Sequence, residues 1–165
     1  MIYVVGCNHG IQPVAPDPFD NAQALRQRAH FRELLSKLTN EDNIQFVGEE
    51  WGFEKKTIAH AIADEKGGIL WENINTSHED LDALGIPRNY ANGGHSAEQV
   101  EEWHRQREGV MIKKIMEKKG DAESFIVICG FGHLESLTEL LGEACRDVQS
   151  VDYRQLDWYE QVFAD

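Results

Sequence analysis

The chain has 165 residues, of which 41% are hydrophobic and 27% are charged, so it is long enough for one domain with a buried core. Its 29 acidic and 16 basic residues give a formal net charge of −13, and such a surface repels nucleic-acid phosphates and anionic membranes. We therefore expect neither nucleic acid nor a membrane among its partners.

The expected compartment follows from two further features of the sequence. No apolar run approaches the roughly 20 residues that span a bilayer, and Met1 leads into a strand-like segment rather than into a signal peptide. The three cysteines, Cys7, Cys129 and Cys145, cannot all pair with one another, which is typical of a reducing compartment. We therefore expect a cytoplasmic protein.

Short apolar segments alternate with amphipathic ones along the chain, which is the pattern of an α/β protein. The apolar segments lack polar alternation, as expected for strands whose two faces are both covered by helices. We predict a single compact α/β domain over residues 1–165, with a mainly parallel central sheet flanked by helices and Asp20 as the N-cap of the first helix. The predicted strands are 2–5, 44–48, 69–71, 125–129 and 148–153, and the predicted helices are about 20–38, 54–65, 78–84, 96–119 and 134–145.

One stretch, residues 73–95, is irregular apart from the short helix predicted within it. It is rich in turn formers such as Asn73, Asn75, Gly93 and Gly94. Long irregular stretches in small domains often serve a site, so we interpret this one as a lid or insertion loop. A plain surface excursion is the alternative.

Two Gly-x-x-His corners each follow a predicted buried strand: the first is Gly6–His9 and the second is Gly130–His133. Sites in parallel sheets form at the carboxyl ends of the strands, where a neutral imidazole can act as a general base or ligate a metal. We predict that His9 and His133 meet in one active site. The alternatives are an exposed loop residue for His9 and a helix-terminal residue for His133.

Two acidic residues, Glu49 and Glu50, follow the second predicted strand directly. Adjacent residues of a strand point to opposite faces, so we expect one of the two to enter the site. Glu50 is favoured because it shares a face with Phe46 and Gly48. The alternative is a pair of solvated charges at the edge of the sheet.

Arg107 lies on a helix stripe otherwise made of apolar residues such as Trp103, Val110 and Met111. A guanidinium among apolar side chains needs a partner. We predict that Arg107 holds a catalytic carboxylate or the oxyanion of a substrate. The alternative is a side chain that reaches solvent from the edge of the stripe.

The same residues contain the donors of a metal site, since two histidines with one or two carboxylates can bind a divalent transition metal such as Mn, Co or Zn. The predicted ligands are His9, Glu49, Glu50 and His133, and a metal-free acid–base set is the alternative. Cys7 beside His9 leaves a nucleophilic pair open, although buried cysteines are more often core residues. The Gly-Phe-Gly turn before His133 lacks the dinucleotide fingerprint and the lysine of a P-loop, so a nucleotide site is not supported.

The order of these motifs resembles the Tiki/TraB, erythromycin esterase and ChaN superfamily. Glu50-Trp51 is also similar to the acid–tryptophan context of the esterase branch. The resemblance implies an α/β fold, and it places the family's glutamate on Glu49 or Glu50. Tiki members resemble metal-dependent proteases, the esterases cleave macrolide lactones, and ChaN-type proteins bind haem. The residues that carry the resemblance are Gly6-x-x-His9, Phe46-Val47-Gly48-Glu49-Glu50, Arg107-x-x-x-Met111 and Gly130-x-x-His133.

Three functions follow as hypotheses. The first is a hydrolase of an ester or amide bond in a small molecule or peptide, with His9 or His133 activating water and Arg107 orienting a carboxylate or an oxyanion. The second is a non-catalytic protein of the same fold that binds a metal, haem or another ligand. The third is an interaction protein whose acidic surface and aromatic tail, with Trp158, Tyr159 and Phe163, bind a partner or form a homodimer.

Overall fold

The sheet in the computed structural model, which describes residues 1–15, 20–90 and 93–156, has five strands, all parallel, in the order β3-β2-β4-β1-β5. The predicted α/β fold is confirmed. The strands are β1 Ile2–Cys7, β2 Phe46–Glu49, β3 Leu70–Asn73, β4 Phe125–Gly130 and β5 Val148–Asp152. The helices in the described residues are α1 Ala22–Glu41, α2 Ile58–Lys66, α3 His78–Leu84, α4 Ala97–Lys118 and α5 Leu134–Ala144.

The start of the first helix differs from the prediction. Asn21, not Asp20, caps α1, because the Asn21 side chain accepts hydrogen bonds from the backbone N–H groups of Gln23 and Ala24. The Asp20 carboxylate accepts a hydrogen bond from the guanidinium of Arg28, 2.6 Å away. A neutral cap thus leaves the neighbouring acid available for an ion pair with the helix's own second turn.

Helices cover both faces of the sheet, and each face has its own core. Alternate residues of the central strands point to opposite faces, so Val5 and Ile128 belong to one core while Val4 and Val127 belong to the other. The first core is closed by α1 and α2, and the second by α4 and α5. Because helices cover both faces of the sheet, the sequences of its central strands are uninterrupted apolar runs.

The pairing of β1 with β4 brings the two Gly-x-x-His corners together. In the parallel register Cys7 lies beside Gly130, so both corners leave the sheet at its carboxyl edge. Each then enters a single 3₁₀ turn, at His9–Ile11 and at Phe131–His133. The two histidines are therefore neighbours in space, although about three quarters of the chain lies between them in sequence.

The irregular stretch contains α3 at the predicted bounds, opened by a capping box at Ser77. Residues 73–90 pack on α4, where Tyr90 meets Trp103 and the Lys114 ammonium lies 2.7 Å from the Asp80 carboxylate. The role of a lid or insertion stays a prediction. The aromatic tail with Trp158, Tyr159 and Phe163 lies outside the described residues. Among the helices described, none is both long and apolar enough to span a bilayer.

Candidate functional site

Glu50 lies at the centre of a cluster of polar groups at the carboxyl edge of the sheet. It follows β2 directly, and its side chain is almost completely buried. The backbone N–H of Gly130 donates to its Oε2 at 2.9 Å, and Nη2 of Arg107 donates to its Oε1 at 3.2 Å. Because a buried carboxylate needs such donors, β4 and α4 together fix the position of this one.

Both histidines of the Gly-x-x-His corners turn their Nε2 atoms toward Glu50. Nε2 of His9 lies 3.8 Å from Oε2, and Nε2 of His133 lies 3.6 Å from Oε1. These distances are too long for hydrogen bonds. The His9 side chain is 43% exposed and the His133 side chain only 7%, so His9 is the one that meets solvent.

His133 is held from behind by Glu108 of α4. Its Nδ1 lies 2.7 Å from Oε1 of Glu108, a distance at which the ring N–H donates to the carboxylate. Burial acts to raise the pKa of Glu108, but hydrogen bonds from His133 and Ser136 outweigh it, so the pKa lies below its ordinary value. Glu108 is therefore an ionised acceptor, and Nδ1 of His133 carries the proton.

His9 is held in the same way by an amide. Nδ1 of His9 lies 2.7 Å from Oε1 of Gln12, whose Nε2 donates to Oε1 of Glu49 at 2.9 Å and to the carbonyl oxygen of Glu50 at 3.4 Å. A carbonyl oxygen can only accept, so the NH₂ end of the Gln12 amide must face Glu49 and Glu50. The Gln12 oxygen therefore faces His9, and Nδ1 of His9 is the donor. Its Nε2 is left as the basic nitrogen.

Glu49 points to the opposite face of the sheet. Its Oε2 accepts hydrogen bonds from Thr57 Oγ1 at 2.5 Å and from Trp71 Nε1 at 2.8 Å. Complete burial raises the pKa of Glu49 to about 7, although Thr57, Trp71 and Gln12 all act to lower it. The structure shows the strand alternation that favoured Glu50, and the Glu49 side chain is connected to the cluster through Gln12.

Arg107 connects the cluster to the irregular stretch. Besides Glu50, its guanidinium donates from Nη1 to the Tyr90 hydroxyl at 2.6 Å and from Nη2 to the Asn75 side chain at 3.3 Å. Its side chain is 15% exposed. The structure thus places Arg107 on a carboxylate, as one of the two predicted roles requires, and not at the edge of α4 in solvent.

Four residues of this arrangement escaped the sequence analysis: Gln12, Asn75, Tyr90 and Glu108. For Glu108 a signal existed in the sequence, because it shares helical spacing with Met111 and Ile115. In the structure these three residues are buried, whereas Val110 is only half-buried. The others lie in loops, where no periodicity marks a side chain that points inward.

The donors for a metal ion are fewer than the sequence suggested. Within residues 1–15, 20–90 and 93–156, no group of three or more His, Cys, Asp or Glu side chains is arranged to hold a metal ion. Glu49 does not lie with His9, Glu50 and His133. Of the predicted ligands, only the two Nε2 atoms and the Glu50 carboxylate face one another.

The thiols near the site are unsuited to act as nucleophiles. Cys7 and Cys129 are both buried, and burial raises the pKa of each thiol, well above the ordinary value for Cys7. A thiol with a raised pKa stays protonated, and the thiolate is the reactive form. Both cysteines are core residues, as the more common behaviour of buried cysteine led us to expect.

A cavity of about 360 Å³ opens over the cluster, between the two corners, and His9, Gly130 and His133 line it. Comparison of the chain with family models, with curated proteins and with solved structures finds no match. The function therefore has to be inferred from the site itself. A cavity lined by two histidines whose Nε2 atoms face a fixed carboxylate is suited to moving protons to and from a bound molecule.

Proposed function

We propose that this protein hydrolyses an ester or amide bond at the cluster of His9, Glu50 and His133. One observation carries the proposal: two imidazole rings, each fixed with its Nδ1–H turned away, direct their Nε2 atoms at the two oxygens of one buried carboxylate, beside a cavity. Fixed basic nitrogens next to a negative charge are the groups that general acid–base catalysis requires.

His9 is the base in this proposal, since it is the exposed histidine. Its Nε2 takes a proton from a water molecule in the cavity, and the water oxygen attacks the carbonyl carbon. Glu50, kept in place by Arg107, stabilises the imidazolium that forms. The bond to the leaving group breaks as that group takes this same proton from Nε2 of His9. Nε2 of His133 takes the second proton of the former water molecule as the carboxylate product forms, and releases it to solvent.

A divalent transition metal such as Mn, Co or Zn is a variant of the same proposal. No three such side chains are arranged for a metal ion within the described residues, so His9, Glu50 and His133 would hold one, without Glu49, only after their side chains shift toward one another. The donor chemistry fits, because metal-binding histidines commonly donate their other ring N–H to a carboxylate or an amide, as His133 does to Glu108. When bound, such a metal supplies a water molecule of lowered pKa.

We further propose that the chain belongs to the Tiki/TraB, erythromycin esterase and ChaN superfamily. Support comes from the four motif residues that lie together: His9, Glu50, Arg107 and His133. Among the functions in that superfamily, hydrolysis fits the proton-transferring arrangement best.

The second candidate is a protein that binds a metal or another ligand without catalysis. It is favoured by one observation, that Arg107 and the N–H of Gly130 both donate to Glu50 and so are engaged before any oxyanion forms. Elemental analysis and the visible absorbance of the purified protein separate a stoichiometric metal or haem from an apo hydrolase.

The proposal is tested with His9→Ala, His133→Ala and Glu50→Gln, assayed on a panel of 4-nitrophenyl esters and anilides with and without EDTA or added Zn²⁺ and Mn²⁺. Loss of a general base costs on the order of 100-fold or more in rate, which is the expected result for either histidine. His30→Ala, on the surface of α1, is the matched control and keeps full activity. A folded His9→Ala protein with undiminished activity contradicts the proposal.

A further inference from the structure

A second cavity opens on the other side of His9. It has a volume of about 410 Å³ and lies between the segment that follows β1, the first turns of α1 and the segment that follows β2. His9 lines both this cavity and the smaller one over Gly130 and His133. A molecule that places its reacting bond beside His9 can therefore extend a substituent into the second cavity. Besides His9, its lining includes Pro13, Ala15, Arg28, Trp51, Phe53 and Lys55.

One wall of this cavity is aromatic. Trp51 is buried, and its Nε1 donates to the carbonyl oxygen of Lys55 at 2.8 Å, which fixes the indole ring. Phe53 is 68% exposed and meets Trp51 edge to face, with the ring centroids 5.1 Å apart. The exposed ring of Phe53 and the fixed indole of Trp51 are thus available to the aromatic ring of a ligand. They can give that ring apolar contact and edge-to-face packing.

The charges of the lining disfavour a cation. Arg28 is paired with Asp20 at 2.6 Å and also donates to the carbonyl oxygen of Pro13 at 2.6 Å, so this ion pair brings no net charge. Lys55 then leaves the lining positive, on a chain whose net charge is −13. A positive cavity on an acidic protein favours an uncharged or anionic ligand over a cationic one.

We propose that this cavity binds the aromatic group of the substrate, and that the substrate is an ester or amide of an aromatic acid, such as an arylacetyl compound. The ring lies against Trp51 and Phe53, and the acyl carbon lies beside His9. The assignment of the reacting bond rests on the proposed hydrolysis, whereas the binding of the aromatic acid does not.

Binding is tested by titrating the wild-type protein with phenylacetate, acetate and 2-phenylethylammonium and following the amide signals in NMR spectra. Phenylacetate is expected to bind, and to bind at least tenfold more tightly than acetate or the cation. Phe53→Ala is expected to weaken phenylacetate binding by about 2- to 12-fold, the range for loss of one aromatic pair. Ala15→Leu, which places a larger side chain in the lining of the cavity, is also expected to weaken phenylacetate binding.

The matched control is Leu25→Ala, which removes another half-exposed apolar side chain outside the cavity lining and leaves phenylacetate binding unchanged. The proposal is overturned if phenylacetate fails to bind the wild type. It is also overturned if Ala15→Leu and Phe53→Ala bind phenylacetate as tightly as the wild type does. Equal binding of acetate or of the phenylethylammonium cation overturns it as well.

Turnover distinguishes failure of this proposal from failure of the proposed function. The wild type is assayed on 4-nitrophenyl phenylacetate and 4-nitrophenyl acetate, and a higher kcat/KM for the phenylacetate ester is expected. Hydrolysis of both esters at equal kcat/KM, lost in His9→Ala, overturns the aromatic cavity and supports the hydrolase. Phenylacetate binding that depends on Phe53, without hydrolysis of either ester, supports the cavity and overturns the hydrolase.

Discussion

At the scale of single residues, Gln12 decides which nitrogen of His9 is basic. Its amide is oriented by two acceptors, Glu49 and the carbonyl oxygen of Glu50, so its oxygen holds the Nδ1–H of His9. A neutral imidazole without a fixed hydrogen-bond partner favours the other tautomer, with the proton on Nε2. The buried amide thus keeps the exposed nitrogen of His9 ready to accept a proton.

Replacing Gln12 with Met tests this role, because Met fills similar space but offers no strong acceptor. We expect His9 to shift toward the Nε2–H tautomer and kcat on the best ester to fall by about tenfold or more, by loss of the correctly protonated base. Long-range ¹H–¹⁵N spectra of the imidazole rings report the tautomer directly, whether or not the protein is an enzyme.

His133 serves as the internal control in the same spectra. Its Nδ1–H is held by Glu108, which the substitution leaves in place, so its tautomer should not change. A wild-type His9 that already carries its proton on Nε2 contradicts the inferred orientation of Gln12.

The residues of the site were predictable to different degrees. His9, Glu50 and His133 could be found because a buried parallel strand delivers whatever follows it to the same edge of the sheet. Choosing Glu50 over Glu49 needed only the alternation of strand side chains. Gln12 was not predictable, because its role depends on the three-dimensional path of a proline-rich loop that has no periodicity.

At the scale of elements, two glycines of the paired strands approach other groups closely, with different consequences. A Cβ atom on Gly6 would lie 2.9 Å from Cδ2 of Leu134, inside the packed contact between β1 and α5. A Cβ atom on Gly130 would lie 2.9 Å from Nε2 of His9, a ring that is half-exposed and can move. One glycine therefore serves packing, and the other leaves room for the histidine.

This difference predicts opposite results for the two alanine variants. We expect Gly6→Ala to lower the free energy of unfolding by about 1–3 kcal/mol, the usual cost of overpacking a core. We expect Gly130→Ala to stay within about 1 kcal/mol of the wild type but to lose most of its activity, because the methyl group displaces His9 from Glu50. Urea unfolding and ester hydrolysis, measured on both variants, give the comparison.

Gly142→Ala on α5, where a Cβ meets no atom within 4 Å, is the control: it should keep its activity and gain up to about 1 kcal/mol of stability, because alanine favours a helix over glycine. Equal losses of stability in Gly6→Ala and Gly130→Ala are the outcome that contradicts the assignment.

The elements themselves followed from the sequence wherever a local signal was strong. The predicted bounds of α3 are the observed ones, and the structure shows a chemical signal at each end, the capping box at Ser77 and the left-handed Gly85. The prediction of the buried face of α4 was partly wrong, because it did not include an acidic residue. Glu108 can occupy that face because His133, far along the chain, supplies its partner. Such long-range pairing is invisible to local patterns.

At the scale of the whole molecule, the buried carboxylate of Glu49 links stability to pH. Burial raises its pKa to about 7 from an ordinary value of 4.5. The folded protein therefore holds this proton more tightly than the unfolded chain does. The stabilisation is fully present below about pH 4.5, and it is lost as the pH rises through 7.

We expect the wild type to lose about 3 kcal/mol of unfolding free energy between pH 4.5 and 7.5 on account of this group, and Glu49→Gln not to show that loss. Urea denaturation at several pH values measures both slopes, and the difference between them isolates Glu49 from the other titrating groups. Glu33→Gln, exposed on α1, is the control and should keep the wild-type slope. Parallel curves for the wild type and Glu49→Gln contradict the raised pKa.

The architecture could be predicted only as a class. Apolar strands between helices indicate a parallel sheet, but several strand orders satisfy the same pattern. The observed order places β4 between β2 and β1, and that choice depends on how the two cores pack rather than on any one segment. The proximity of the two histidines was inferred from the two similar Gly-x-x-His motifs. In the structure it depends on the pairing of β1 with β4.

The same strand order has a consequence for how the chain is made. Within the described residues β1 pairs only with β4 and β5, which are synthesised after β2 and β3. Until they emerge from the ribosome, all six residues of Ile2–Cys7, which the finished protein buries, lack their sheet neighbours. Closing so long a loop delays the gain from pairing, and an unpaired apolar strand invites association with other chains. Fragments that end before β4 should therefore aggregate, and the nascent chain should need protection at β1 until β4 and β5 have been synthesised.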